Sequence, residues 1–366
     1  MHVALKNEKA SPSVVDLQPE DHPLQAQPSK ATWVKYNFRF HGNASEYFGI
    51  WLSSVLLTVL SLTMYSPWAK SRRLRYFYGN TELLNQRFDF TGLPSKIFLG
   101  RVLAFEIYLV FLVLSNYSVI LTSVGFALLY LAVPWLFRMT LKFRSRNSKF
   151  GNTRFYFYGE NRYLYRLLVT EMLKTIFSLF ILLPRLIWLY QHYYFDHLQL
   201  GQLKFKFTAE RGMFMKAVYY PLLSFIAILF LGLWALDKID DLPDSYALLM
   251  VIPGLLIFAA FFLAVPYMFA KIYITTWNHL ELGKNHFKTR ANAWRYAWIV
   301  LSNWLLRLVS LGLLSAWAEI RLYQYKISML DLYLADDPEQ LQNMLQTDPN
   351  SIAQELSAMF DFDASL

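Results

Sequence analysis

The stretch Pro67–Gly92, PWAKSRRLRYFYGNTELLNQRFDFTG, sets a proline 21 residues ahead of the first phenylalanine of an alternating aromatic segment. The same interval recurs at Pro134 and Phe155, Pro184 and Phe205, and Pro266 and Phe287. The aromatic segments read RFDFTG, RFYFYG, KFKFTA and HFKTRA, and a fifth, NFRFHG, begins at Asn37 without a preceding proline. A fixed interval between dissimilar sequences marks an internal repeat. Alternation of aromatics with Arg, Lys, Asp or Tyr suits a short strand with one apolar and one wet face. Counted from the first phenylalanine, the fifth residue is always small (Gly42, Gly92, Gly159, Ala209, Ala291), as a turn or close approach requires.

Apolar runs of membrane-spanning length separate the copies. Hydrophobic residues make up 55% of the chain and charged residues 17%, outside the balance of a soluble domain. The spanning candidates are Tyr47–Tyr65, Val102–Phe137, Leu167–Leu183, Met213–Leu236, Tyr246–Phe269 and Trp298–Trp317. The second, at 36 residues, would be about 54 Å long as one helix against a hydrocarbon core of about 30 Å, so it splits near Ser115–Ser118. The expected fold is therefore mainly α, a polytopic membrane protein of about seven apolar helices built from internal repeats, with short FxF-like strands between helices.

Three regions follow: a disordered N-terminal arm over 1–34, a repeat-built membrane domain over 35–334, and an acidic tail over 335–366. The net charge is +9, yet Asp331–Leu366 holds eight acidic residues and no Lys or Arg. The Lys and Arg of the remainder cluster at the ends of apolar runs, where cytoplasmic loops concentrate them. No recognition motif accompanies them, which argues against nucleic acid. With no cysteine, disulfides, thiolate nucleophiles and Cys-based metal sites are excluded.

The loops Ser66–Arg101 and Arg138–Arg166 hold seven and eight Lys/Arg, which puts both in the cytoplasm. If the single-segment modules cross fully, parity sends the basic stretch Lys271–Arg295 outside and brings the acidic loop Asp237–Asp244 inside, against the charge rule. If they dip in and return near the repeated proline, every aromatic segment shares the cytoplasmic face. The second layout is favoured, because related segments should find related surroundings.

The run FHGNASEYFGIWLSSVLLTVLSLTMYSPWAKSRRLRYFYGNTELLNQRFDFTG, Phe40–Gly92, resembles the opening of the YjgN-type bacterial inner-membrane proteins, a family of unknown function. LSAWAEIRLYQY, Leu314–Tyr325, is similar to that family's closing WAK-type element, except that Glu319 stands where Lys70 stands in the first copy. The resemblance covers Lys35 to about Leu334. It implies a bacterial inner (cytoplasmic) membrane location and brings no reaction, cofactor or ligand.

Charged residues inside apolar segments, at places not shared between modules, are the candidates for a polar path: Glu106, Arg307, Glu171, Lys174 and Lys216. A charge there costs about 2.5–3.5 kcal/mol on insertion scales, so each should face a partner or a wet cavity. Glu171 and Lys174 are three apart and share a helical face; with Lys216 they also lie close enough to a helix start to reach the interface. Arg72, Arg73, Arg75, Arg138, Lys142 and Arg144 follow their prolines directly. They are either a positive-inside flank on anionic lipids or a phosphate or headgroup site.

His192 and His197 flank Asp196, and His279 precedes His286, but no metal is expected. His197 and His279 lie 13 residues after their prolines, where Asn80 and Asn147 stand in the other modules, so a hydrogen bond near a helix end is the simpler role. P-loop, dinucleotide, HExxH and GxSxG patterns are absent, so no catalytic residue and no cofactor are named. Two readings remain. One is a transporter, channel or lipid-handling protein with a polar path between modules, taking a small molecule or lipid. The other is a non-catalytic scaffold or regulator that binds partners at its cytoplasmic face. An intramembrane enzyme lacks a nucleophile and base.

Overall fold

The computed structural model describes residues 33–240, 249 and 251–335, all within the unit that starts at Trp33. The expected arm up to residue 32, the second half of the acidic loop (241–244) and the tail from residue 336 lie outside the described residues.

The described residues begin with β1 (Val34–Asn37) and β2 (Arg39–Phe40), then a helical hairpin of α1 (Ala44–Leu60) and α2 (Ser66–Gly79). Next come β3 (Thr81–Leu83) and β4 (Gln86–Phe90), followed by two long helices, α3 (Pro94–Ser115) and α4 (Val119–Arg146). After β5 (Ser148–Phe150) and β6 (Thr153–Phe157), α5 (Asn161–Tyr165), a π-helical turn (Arg166–Glu171) and α6 (Met172–Phe177) form one limb of a second helical hairpin. α7 (Leu183–Asp196) is the other limb, and it leads into β7 (Leu198–Leu200) and β8 (Leu203–Phe207). The second long pair, α8 (Arg211–Asp240) and α9 (Val251–Asn278), precedes β9 (Leu280–Leu282) and β10 (Asn285–Thr289). A third helical hairpin, α10 (Ala293–Val309) and α11 (Ser315–Ser328), ends in β11 (Leu330–Leu334).

The constant interval of 21 residues now has a structural content. From each proline the chain runs down to the end of a helix, through a three-residue strand and a tight turn, into a five-residue strand whose third residue is the phenylalanine. Pro67 and Pro184 occupy the first turn of α2 and α7, where the missing N–H costs nothing. Pro134 and Pro266 lie inside α4 and α9.

Among the described residues, eleven antiparallel strands form one sheet in the order β1-β11-β10-β9-β8-β7-β6-β5-β4-β3-β2. Each aromatic strand divides its pairing. The start of β4 pairs with β3 (Arg87 opposite Glu82), and its end pairs with β5 (Phe88 opposite Phe150, Phe90 opposite Ser148). β6, β8 and β10 do the same between their own neighbours. β1 pairs with β11 and β2 with β3, and the intervening Phe38 N–H donates to Leu330 O at 3.2 Å. Both ends of the sheet are thus one continuous piece of chain, and the strands close into a ring without a free edge.

The inside of the ring is apolar. Phe38 stacks against Phe88 at 6.2 Å and approaches Phe287 at 6.4 Å, while Phe205 stacks against Phe155 at 6.3 Å and Phe287 at 6.2 Å. Leu83, Phe150, Leu200 and Leu282 from the three-residue strands and Leu332 from β11 complete the core. Each buried phenylalanine contributes about 1.5–3 kcal/mol of transfer free energy. Except in β10, which has Thr289 there, the second aromatic of the segment packs instead under the helices, as Phe157 does against Tyr193 at 5.5 Å and Phe207 against Phe214 at 5.9 Å. That ring folds back over the small fifth residue: a Cβ on Gly92 or Gly159 would fall 2.5 Å from Cζ of Phe90 or Phe157.

The helical part departs from the expectation of about seven apolar helices with short strands between them. Four helices among the described residues are long and apolar enough to cross a bilayer: α3, α4, α8 and α9. The other three apolar runs each break and reverse. At the break, Ser61, Ser178 and Ser310 close the first limb, and the next two residues include left-handed Leu62 and Thr63, Leu179 and Phe180, and Leu311 and Gly312. The three turns repeat one hydrogen-bond set: Thr63 N–H to Thr58 O, Phe180 to Thr175 and Gly312 to Arg307. In each, the serine hydroxyl accepts from the backbone four residues on, at Tyr65, Leu182 and Leu314. The returning limb folds back until Tyr76 and Tyr325 hydroxyls donate to the carbonyls of Asn43 and Asn292 and accept their N–H groups. Tyr193 donates likewise to Glu160 O. A limb of 17 residues such as α1 reaches only about 26 Å, and its apolar content continues around the turn instead of onward. A hydropathy average over Tyr47–Tyr65 cannot register that reversal.

Alanine at Ser61, Ser178 or Ser310 is expected to lower stability by about 1 kcal/mol each, read as a drop in thermal midpoint of the detergent-purified protein. Alanine at exposed Ser123, which donates only to its own helix, should have a smaller effect.

Candidate functional site

Charge is used first to close the ring. Asp331 on β11 is fully buried between its two neighbouring strands. Its carboxylate accepts from Arg290 Nε and Nη2 at 2.7 and 3.2 Å, and Lys35 Nζ lies 3.1 Å away. A second pairing joins the first and last helical hairpins: Glu319 accepts from Tyr47 Oη at 2.8 Å and from Arg73 Nε at 3.2 Å. This explains why an acid stands at 319 where the first copy has Lys70. α11 packs on α1, and its charge must complement Arg73 instead of repeating it.

The basic cluster behind the prolines divides by task. Arg75 Nε and Nη2 donate to the carbonyls of Phe90 and Gly92 at 3.3 and 3.4 Å, and Arg138 Nε donates to Gly159 O. Ser71 and Trp188, in the same place as Arg138 in their modules, donate to Gly92 O at 3.0 Å and Ala209 O at 2.8 Å. These side chains secure the backbone where an aromatic strand enters the next helix. Arg73 is taken by Glu319. Arg144 reaches Tyr78 Oη at 3.5 Å, Arg72 lies over the Tyr65 ring at 5.8 Å, and Lys142 is exposed with no ion pair among the described residues. Arg72, Lys142 and Arg144 are the members left open to a ligand.

Of the intramembrane candidates, only Glu171 and Lys174 are paired with each other among the described residues. Glu106 is exposed on α3, which packs on α2 and α4, and Lys216 is exposed on α8. Arg307 lies near the tip of α10, its Nε buried and without a partner. Glu171 is held by Lys174 Nζ at 2.9 Å and Arg185 Nε at 3.2 Å, which ties the two limbs of the second helical hairpin together. No hydrogen bond or ion pair among the described residues joins Glu106, Lys216 and Arg307.

Asn80, Asn147, His197 and His279 all donate a side-chain N–H to the carbonyl four residues back, at 2.8 to 3.0 Å. They cap helix C-termini. His192 pairs with Asp196 at 2.9 Å. His286 stacks on Tyr333 at 5.0 Å, and burial first, then the nearby Lys288, holds its imidazole below the ordinary histidine range. Among the described residues, no three His, Asp or Glu side chains converge on a metal position.

A cleft of about 320 Å³ opens between α10 and α11, lined by Arg295, Trp298, Arg321, Gln324, Tyr325 and Ser328 among others. Sequence reasoning missed it. Arg295 and Arg321 belong to separate, ordinary-looking helix ends, and only the reversal at Ser310 brings them face to face. The available signal was the recurrent Ser-Leu at 61–62, 178–179 and 310–311.

A family model described as "Bacterial protein of unknown function (DUF898)" matches residues 35–359. Over 107 residues the chain is 34% identical to the Escherichia coli (strain K12) protein named Inner membrane protein YjgN, covering 29% of this chain and 26% of that protein. Over 150 residues it is 30% identical to the Salmonella typhimurium protein of the same name, covering 39% and 38%. The chain thus matches less than two fifths of the length of either relative. No solved structure matches it.

Asp331→Ala leaves Arg290 and Lys35 beside an empty buried position and is expected to cost about 3–5 kcal/mol. Glu319→Gln, at a more exposed pair, should cost about 1 kcal/mol or less. Denaturant or thermal unfolding of the purified variants checks the order.

Proposed function

The chain belongs to the DUF898 family of bacterial proteins of unknown function, and within that family we propose a multi-pass inner-membrane protein, built from an internal repeat, that handles lipids at its membrane-facing flank. The name of its YjgN relatives and four helices of spanning length support the location. In this reading α3 with α4 and α8 with α9 cross the bilayer as two pairs. The three helical hairpins enter from the cytoplasmic side and turn back inside it, and the strand ring lies in the cytoplasm. The tips suit that depth, since Leu60, Leu179 and Leu311 are 79%, 84% and 94% exposed. The basic residues of α2 and α4 then lie at the anionic inner leaflet.

One observation carries lipid handling over conduction of a solute along the axis. The ring is filled by stacked phenylalanines, whereas Glu106 and Lys216 face outward and the arginine-lined cleft opens on the flank. A polar route on the outside of a membrane protein serves molecules that keep their tails in the bilayer. The densely packed ring also supports a second reading, a scaffold or regulator. Exposed Arg39, Arg87, Lys204, Lys206 and Lys288 on its outer face would meet an acidic partner.

Two measurements test these readings. Because the chain has no cysteine, Lys284→Cys, Ser118→Cys and Leu311→Cys each give a single reporter. An impermeant thiol reagent is expected to label position 284 from the cytoplasmic side only, 118 from the periplasmic side only, and 311 from neither. Periplasmic labelling at 311 would mean the third hairpin crosses. In proteoliposomes, the wild-type protein is expected to speed exchange of headgroup-labelled phospholipid between leaflets while retaining a trapped small anionic dye. Folded protein that leaves exchange at the protein-free rate would overturn lipid handling in favour of the scaffold.

A further inference from the structure

The α10–α11 cleft contains two guanidinium groups and no carboxylate. Arg321 is tied down: Nη1 donates to Ser302 Oγ at 2.7 Å and Asn303 Oδ1 at 3.3 Å, and the group lies 5.2 Å from the Trp317 ring centre. Asn303 is itself buried and donates to Ala318 O at 2.8 Å, so Arg321 is held by a fixed frame. Arg295 lies 5.5 Å over the Tyr325 ring, and its guanidinium has no hydrogen bond or ion pair among the described residues. Two like charges lining one cleft repel each other, and a shared anion removes that cost. Guanidinium forks match the oxygen geometry of a phosphate.

The hairpin fold does not require this pair. Counting three residues from Asn43, Glu160 and Asn292, and 11 from Ser61, Ser178 and Ser310, the corresponding pairs are Glu46 with Arg72, Tyr163 with Leu189, and Arg295 with Arg321. The first is a mixed-charge pair and the second uncharged. Only the last hairpin sets two arginines opposite each other.

An apolar track leaves the same cleft. Trp298, Leu305 and Leu308 are 58%, 53% and 74% exposed, and their spacing puts them on one face of α10 leading to the tip. Trp298 to Val309 spans about 16 Å of helix, close to half of a hydrocarbon core of about 30 Å. A ligand that fits both parts has an anionic head and a chain that reaches the bilayer midplane.

We propose that this cleft is a headgroup site for an anionic phospholipid, with phosphate between Arg295 and Arg321, polar headgroup atoms against Gln324 and Ser328, and an acyl chain along Trp298, Leu305 and Leu308. The site deepens the lipid-handling reading and rests on it for the source of the phosphate.

The test uses the full chain in neutral detergent, titrated with short-chain phosphatidylglycerol, short-chain phosphatidylcholine and inorganic phosphate, with binding read by native mass spectrometry. Phosphatidylglycerol is expected to bind saturably and phosphatidylcholine more weakly. Arg295→Gln should weaken phosphatidylglycerol about tenfold or more, Arg295→Lys should recover part of that, and Lys284→Gln in the β9–β10 turn should change nothing. Because Arg295 makes only a ring contact, its variants should keep the wild-type thermal midpoint. Arg321→Gln is the second variant, and its own midpoint is measured because it also releases Asn303. Wild-type affinity in Arg295→Gln and Arg321→Gln overturns the site. Inorganic phosphate displacing phosphatidylglycerol at equal concentration overturns the lipid as source and leaves a phosphate site. Weakened binding in Arg295→Gln, with wild-type protein leaving leaflet exchange at the protein-free rate, supports the site while counting against lipid handling, so the two can fail separately.

Discussion

Closure of the strand ring is the constraint on which the rest of the molecule depends. A five-residue strand that gives half its backbone bonds to one neighbour and half to the next cannot be satisfied alone or in a pair. It needs a neighbour on both sides all the way round. The chain meets this by letting β1 and β2, joined at Phe38, pair with β11 on one side and β3 on the other. Unpaired backbone groups at that seam would each cost a hydrogen bond, and an open edge would invite another chain. The buried Asp331, bonded by Arg290 and flanked by Lys35, stands at the seam, where a mispaired strand would leave a carboxylate without its cations.

The ring in turn decides how the helices meet the membrane. Every helix pair leaves the ring after an aromatic strand and re-enters it through the next strand, three residues long in four cases and five in β11, so both ends of each pair emerge on one side. Two pairs are long enough to reach the far side of a bilayer and three turn back early through the same serine-centred, left-handed reversal. The tips carry exposed leucines, and the tyrosine clamps at Asn43, Glu160 and Asn292 hold the bases of the hairpins shut.

Polar side chains within the apolar part are thereby divided between the frame and the flank. Arg75, Arg138 and Arg73 serve the frame through carbonyls of Phe90, Gly92 and Gly159 and through Glu319. Among the described residues, the charged groups of Arg295, Glu106 and Lys216 make no hydrogen bond or ion pair, and Arg321 bonds only within its own hairpin; the two arginines line the α10–α11 cleft, and Glu106 and Lys216 are exposed. The same residue types thus carry different work depending on whether a backbone carbonyl lies within reach.

Much of the architecture was legible in one dimension. The spacing of proline to phenylalanine is kept because it measures the path from helix to ring, and the small residue at Gly92 or Gly159 is demanded by a ring lying over it, so both are local facts that a sequence records. The Asn or His at 80, 147, 197 and 279 is equally local, since its partner is four residues away. The number of spanning helices was not legible, because an average over Tyr47–Tyr65, Leu167–Leu183 or Trp298–Trp317 counts apolar atoms and ignores the sign of φ at two residues. Nor was the cleft, since Arg295 and Arg321 become neighbours only after the chain reverses at Ser310. The order of amino acids by itself determined a lipid-soluble protein of recurring helix-to-strand units, because periodicity and hydropathy are properties of adjacent residues. Tertiary structure alone decided that the strands close on themselves and that two arginines share a cleft, because both require parts of the chain distant in sequence to meet.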